Sequence, residues 1–72
     1  MAKHIDYLVE LDGDDTKDEF VNNIRTAKKV ATDMAKRYGR TAYIQKFRDE
    51  VPDDFCFPSH WAVEPNGRIT AG

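Results

Sequence analysis

The sequence predicts an α+β fold in which a single long helix packs on one face of a three- to four-stranded, mainly antiparallel sheet, in the order β-α-β-β with room for a fourth strand. Three observations predict it. Residues 3–11 alternate in hydropathy, residues 16–38 repeat their apolar side chains with a helical period, and residues 41–71 combine β-forming residues with turn residues. A chain of 72 residues has the length of one small domain, which we take to span 1–72.

Residues 3–11 are predicted to form the first strand, because successive side chains of an extended chain point to opposite faces and every second residue here is apolar. The sequence Asp-Gly-Asp-Asp at 12–15 is typical of a turn, which we expect to carry the chain into the helix. The side of the strand predicted to face the core consists of Ile5, Tyr7, Val9 and Leu11.

Residues 16–38 are predicted to form the helix, since at about 100° per residue their apolar side chains fall on one stripe. Thr16 and Glu19 have the spacing of a capping box at the helix N-terminus. Gly39 suits the left-handed residue that follows a last helical turn. The predicted buried stripe consists of Phe20, Ile24, Ala27, Ala31, Met34, Ala35 and Tyr38, with Val21 and Val30 at its edges.

Residues 41–48 are predicted to form the second strand. Its alternation places Ala42 and Ile44 under the helix and leaves Tyr43 and Phe47 on the opposite face of the sheet. A single helix covers only one face of a sheet, so we expect that opposite face to be open and to be the place to look for function.

The C-terminal third predicts a hairpin after an irregular segment. Two prolines and two pairs of carboxylates exclude residues 49–59 from a central strand. Residues 60–64 alternate again and residues 68–71 return along them. The dipeptide Asn66-Gly67 between these segments favours a type I′ turn.

The composition narrows the classes to which the protein can belong. A net charge of −2 and an isoelectric point near 5.6 argue against a surface that is basic throughout. The single cysteine forbids an intrachain disulfide, and no apolar run has the length of a membrane span or of a signal peptide. We therefore expect a cytoplasmic protein without membrane contact. A homodimer is compatible with the pattern.

Few side chains suit catalysis or a cofactor. Cys56 and His60 stand four residues apart and His4 is the other histidine, but no second cysteine or metal-binding motif accompanies them. The carboxylates at 12–15 and 49–54 lack the spacing of a calcium loop, and the glycines lie at turns rather than in a phosphate-binding loop. We predict no catalytic site, no metal and no cofactor, and hence a protein that is not an enzyme.

Aromatic residues near the C-terminus favour a protein-interaction surface. Phe55 and Phe57 form an apolar island in a polar segment, and Trp61 follows closely. Aromatic anchors inside a charged rim are typical of binding sites, although the same residues folded back would close a small core. The predicted surface for a host or partner protein complex consists of Phe55, Phe57, Trp61, Glu50, Asp53 and Asp54.

Direct nucleic-acid binding is the alternative. Basic side chains recur along one side of the helix, where a solvated helix face is the simpler interpretation. Aromatic side chains on an open sheet face are the groups on which single-stranded bases stack. The residues of this alternative are Arg25, Lys28, Lys29, Lys36, Tyr43 and Phe47.

The order of elements gives one further indication: a strand with the sequence HIDYLVEL, one long helix and a hairpin with the sequence HWAVEPNGRI, all in a short acidic chain. In this build the chain resembles the small accessory proteins of bacteriophages, including host-takeover and anti-CRISPR proteins. The resemblance implies an inhibitor that blocks a surface of a host nucleic-acid-handling or defence complex sterically, without catalysis. It transfers no functional residue, because such proteins share no common motif.

Overall fold

The computed structural model describes residues 4–53 and 58–72. These residues form a fold of the predicted α+β class, with one helix and a sheet that has six strands instead of three or four. In chain order the elements are β1 (Ile5–Leu11), β2 (Asp14–Val21), α1 (Ile24–Tyr38), β3 (Ala42–Arg48), β4 (Val51–Pro52), β5 (His60–Val63) and β6 (Ile69–Ala71).

The sheet has the strand order β2-β1-β3-β5-β6, and the short β4 pairs with β3 beyond the end of β5. Every pairing is antiparallel. The central pair is β1 and β3, which run in register from Ile5 opposite Arg48 to Leu11 opposite Ala42. This long-range pairing places the N-terminal strand in the middle of the sheet.

The largest correction concerns the first part of the predicted helix. Residues 16–21 belong to β2, which folds back on β1 after the turn at Gly13, where φ is 77°. The predicted capping box between Thr16 and Glu19 therefore does not exist. The helix begins instead after Asn23, whose side-chain oxygen accepts a hydrogen bond of 2.8 Å from the backbone N–H of Thr26.

The rest of the helix follows the prediction. Its buried residues are Ala27, Ala31, Met34 and Ala35, all from the predicted stripe. The helix ends at Gly39, which adopts the left-handed conformation with φ of 64° and donates its N–H to the carbonyl of Ala35 at 2.9 Å. Tyr38, by contrast, is exposed, and Lys17 Nζ lies 5.2 Å from the centroid of its ring in a cation–π contact.

The core lies between the helix and one face of the sheet. The strand faces are those that the alternation predicts, since Val9, Ala42 and Ile44 are buried beneath the helix. Trp61 meets Tyr7 edge to face, with ring centroids 5.9 Å apart. The buried apolar residues of the described chain are Val9, Leu11, Ala27, Ala31, Met34, Ala35, Ala42, Ile44, Trp61 and Val63.

The C-terminal part of the sheet contains two hairpins, β3–β4 and β5–β6, and the turn of the second differs from the predicted type. The strands around Asn66 and Gly67 form as predicted, but the type I′ assignment is wrong because Asn66 lacks the positive φ that this turn requires. Among the non-glycine residues of ranges 4–53 and 58–72, positive φ occurs at Asp49 and Glu50, in the turn between β3 and β4. In the part of the chain that the structure describes, the strained turn is therefore the one between β3 and β4.

Candidate functional site

The face of the sheet that points away from the helix carries an apolar band, which we call the open-face band: Phe20, Leu8, Phe47, Tyr43 and Ala62. The register explains how it forms. Leu8 of β1 lies opposite Phe20 on one side and opposite Gln45 on the other, so that Tyr43 and Phe47 become its diagonal neighbours. The band residues of β1, β3 and β5 alternate with the buried residues of their strands, and Phe20 of β2 lies opposite Leu8. All five therefore share the face turned away from α1.

The aromatic side chains of this band are accessible. Phe20 is 58% exposed and Tyr43 is 44% exposed, although phenylalanine is among the residues most often fully buried. Phe20 and Phe47 meet edge to face with ring centroids 5.6 Å apart, a geometry that aromatic pairs favour. The band is thus ordered by its own contacts and still presents apolar surface to solvent.

Two adjoining depressions shape this face, and Phe47 lines both of them. The larger has a volume of about 590 Å³ and includes Leu8, Tyr43, His60 and Pro52 among its lining residues. The smaller has a volume of about 410 Å³ and is lined by Asp6, Phe20, Phe47 and Glu50. Volumes of this size suit individual side chains or a short segment of a ligand.

Carboxylates border the band. Asp6 lies directly across from Phe47 and Glu10 lies directly across from Tyr43, so each aromatic of β3 on this face has an acidic neighbour on β1. Asp6 Oδ2 is 2.9 Å from His4 Nε2, and the Asp6 side chain remains 22% exposed. Glu50 adds a third carboxylate from the turn after β3. The open face therefore has an apolar centre and an acidic border.

Trp61 corrects one part of the predicted interaction surface. It is 7% exposed and lies on the helix side of β5, opposite Ile44 and against Tyr7. The prediction of an exposed anchor at this position is wrong, because the β3–β5 register turns the indole ring into the core. Of the other predicted residues, Glu50 is exposed. Asp54, Phe55 and Phe57 lie outside the residues that the structure describes.

Asp53 is a second correction, since it was predicted to meet a partner and is 5% exposed. Its Oδ2 lies 3.0 Å from Arg48 Nε and 3.8 Å from Lys46 Nζ, and its backbone N–H donates to the carbonyl of Lys46 at 2.9 Å. A carboxylate buried in this way must be paired, and the two cations of β3 supply the partners. Asp53, the residue after β4, is therefore bound to β3 by both its side chain and its backbone.

The basic residues of the nucleic-acid alternative lie on the outer side of the helix. Arg25, Lys29 and Lys36 are exposed and Lys28 is half-buried. Within ranges 4–53 and 58–72, none of these four forms an ion pair. With Thr32 and Asp33, the three lysines line a depression of about 420 Å³.

Tyr43 and Phe47, the aromatic half of the same alternative, lie on the other face of the sheet, with the core between them and the helix. The two groups of residues therefore belong to opposite sides of the molecule and cannot form one continuous surface. Lys46 and Arg48 point to the helix side, where they pair with Asp53.

The acidic residues near the first turn form a separate shallow depression of about 370 Å³, lined in part by Glu10, Asp14 and Asp18. Hydrogen bonds from the side chain and the backbone of Thr16 hold the pKa of the Asp14 carboxyl below its ordinary value. No group of three or more His, Cys, Asp or Glu residues in the described ranges is arranged to hold a metal ion.

The two histidines considered for catalysis have different partners. His4 pairs with Asp6, and the exposed His60 has its Nδ1 3.3 Å from Ser59 Oγ. Cys56 lies outside the described residues.

Phe20, Leu8 and the two β1 carboxylates were missed as site residues. Leu8 could have been found, because it is the apolar member of the second face of an alternating strand. Phe20 could not, since its spacing from Ile24 and Ala27 also fits a helical stripe.

No family model, no curated protein and no solved structure matches the chain. No helix in the described part of the chain is long and apolar enough to cross a membrane.

Proposed function

We propose that the protein is a non-enzymatic interaction module that binds a partner protein through the open-face band. The observation that carries the proposal is the exposed Phe20 in contact with the half-buried Phe47. Leu8 and Tyr43 lie beside this pair, inside a border of Asp6, Glu10 and Glu50. Exposed aromatics in a concave surface provide the anchors of protein interfaces. An acidic border favours a partner segment in which apolar side chains are flanked by lysine or arginine.

A host complex that handles nucleic acid fits this chemistry, because it holds its ligand with basic side chains. A module bound over such residues would exclude the nucleic acid sterically, without a chemical reaction. In its most specific form, the proposal is that the protein acts in the cytoplasm as an inhibitor of the phage accessory type.

The test is affinity capture of tagged protein from a bacterial lysate, before and after nuclease treatment, with two matched variants. Phe20→Ser removes an aromatic ring from the open-face band, whereas Tyr38→Ser removes one of similar exposure, 42%, on the helix side. We expect a protein complex that survives nuclease, binds the Tyr38→Ser variant and is lost with Phe20→Ser. Capture that is equal for both folded variants would refute the open face as the binding surface.

A second candidate function, nucleic-acid binding, is favoured by the unpaired basic stripe of the helix. Four phosphate contacts from Arg25, Lys28, Lys29 and Lys36 would give a slope of log K against log salt of roughly −3.6 on duplex and roughly −2.8 on single strands. The double variant Arg25→Gln, Lys29→Gln loses two of these contacts and should lower the magnitude of the salt slope by about 2.

Arg37→Gln is the matched control for that titration, because Arg37 is exposed on the same helix but lies 3.5 Å from Asp33. It should leave the slope nearly unchanged. Binding that is absent at low salt, or a slope equal in all variants, would rule out the helix stripe. Loss of capture after nuclease in the first experiment would favour this candidate over the first.

A further inference from the structure

The smaller depression of the open face has an unusual lining for a protein surface. Its four residues are two phenylalanines, Phe20 and Phe47, and two acidic residues, Asp6 and Glu50. The aromatic rings are in contact with each other, and Phe20 keeps more than half of its surface in solvent. The depression therefore offers ring faces and carboxylate oxygens to the same small volume of about 410 Å³.

On the basis of the proposed function, we infer that this depression binds a cationic side chain of the partner, an arginine guanidinium or a lysine ammonium. A cation is attracted to the negative face of an aromatic ring, and the long apolar stem of Lys or Arg packs on the ring edge. The carboxylates satisfy its N–H donors. A neutral apolar side chain would instead leave both acidic groups without compensation for their lost solvent.

Asp6 can accept such a ligand although it already contacts His4. The contact with His4 uses Oδ2, and a carboxylate has two oxygens with about four acceptor positions in total. Glu50 is exposed and projects from the turn between β3 and β4. The two carboxylates reach the depression from different elements, β1 and the turn, so the cation would be held between them above the Phe20–Phe47 pair.

The larger depression would bind a second, apolar residue of the partner. Leu8, Tyr43, Pro52 and Ala62 give it a mainly apolar lining, and it shares Phe47 with the smaller one. The partner segment should therefore place an apolar residue close to the anchoring cation. A purely basic or a purely apolar segment would fill only one of the two depressions.

The test is an NMR titration of the isolated protein with three capped amino acids. N-acetyl-arginine methylamide and N-acetyl-lysine methylamide carry the cation, and N-acetyl-norleucine methylamide is the uncharged control of similar length. We expect saturable shifts at the signals of Phe20, Phe47 and Glu50 with the cationic probes. The norleucine probe should bind at least about twofold more weakly.

Glu50→Gln and Asp6→Asn should each weaken the arginine probe about two- to fivefold. Glu19→Gln is the matched control, since Glu19 is an exposed carboxylate of β2. The same spectra report whether each variant is folded. Equal affinity for the norleucine probe, equal affinity in Glu50→Gln and Asp6→Asn, or no saturable shift at these three residues would overturn the inference.

The capture experiment distinguishes this failure from failure of the proposed function. A partner that is lost with Phe20→Ser, together with probes that do not bind, would leave the interaction module standing and remove only the cationic anchor. Binding of the arginine probe without any captured partner that depends on Phe20 would remove the proposed function instead.

Discussion

Glu50 occupies a backbone conformation that favours glycine. Its φ is 69°, and the preceding Asp49 has a φ of 50°. For a residue with a Cβ the left-handed region costs about 1–2 kcal/mol. We therefore expect Glu50→Gly to raise the free energy of unfolding by about 1 kcal/mol, measured as a higher urea midpoint at an unchanged slope.

The neighbouring position is the control for this prediction. Asp49→Gly relieves a similar backbone conformation but removes the carboxylate oxygen that accepts a hydrogen bond of 2.9 Å from the His4 N–H. Its gain should therefore be smaller than that of Glu50→Gly. A urea midpoint for Glu50→Gly at or below that of the unmodified protein would show that the turn is not strained.

Asp53→Ala is expected to destabilise the protein by about 2 kcal/mol. The change leaves Lys46, whose side chain is 18% exposed, without its carboxylate, while the 40% exposure of Arg48 limits the loss. Asp33→Ala is the matched control, because its ion pair with Arg37 is exposed on both sides and should contribute under about 0.5 kcal/mol. Equal urea midpoints for the two variants would contradict the buried role of Asp53.

Trp61 and Asp53 show why single residues were harder to assign than strands. The alternation of residues 60–64 separates Trp61 from its neighbours but does not say which side meets the core. That choice depends on pairing with β3, far away in the sequence. Aspartate is rarely buried in proteins, so the residue type alone predicts a surface position for Asp53. The compensating cations lie on β3, and nothing local indicates that they turn toward it.

At the scale of elements, β1, β3 and β5 could be predicted because one face of each strand is buried. The exposed β6 could be predicted because the turn residues at 65–68 indicate a return strand. β1, β3, β5 and β6 lie within one or two residues of the predicted ranges. β2 was missed because it is an edge strand without a buried residue, so the alternation that marks a strand is absent. Its charged residues are also compatible with a helix, and Phe20 happens to continue the helical spacing of Ile24 and Ala27.

The two versions of the helix start make different predictions. Asn23→Ala should cost about 1 kcal/mol of stability, because the Asn23 side chain caps the N–H of Thr26. Thr16→Ala should cost under about 0.5 kcal/mol, since Thr16 is an exposed residue of β2. Urea denaturation measures both changes. A larger loss for Thr16→Ala than for Asn23→Ala would favour the capping box that the sequence predicts.

At the scale of the whole molecule, stability depends on a small core. A chain of this length is expected to have a free energy of unfolding of roughly 4–11 kcal/mol. Ile44 is fully buried in the central strand β3, and Ile44→Ala should cost about 2–5 kcal/mol. We therefore expect this variant to lose a large fraction of its folded population on warming, as followed by circular dichroism.

Ile44→Val is the matched control for the core and should cost about 0.5–1.5 kcal/mol. A fully cooperative Ile44→Ala variant with an unchanged midpoint would show that the sheet and helix do not share one core. The order of strands in the sheet could not be predicted from the sequence. The pairing of β1 with β3 joins residues such as Ile5 and Arg48, which are far apart in the chain and share no local pattern.

The separation of charge between the two sides of the molecule has a consequence for its behaviour on charged matrices. Lysines and arginines lie along the outer side of α1, whereas Asp6, Glu10 and Glu50 border the opposite face. The protein thus presents charges of opposite sign on two sides, although its net charge is only −2. At low salt we expect both cation-exchange and anion-exchange resins to retain the protein, in opposite orientations. The charge of the resin would then determine which face remains accessible to solvent.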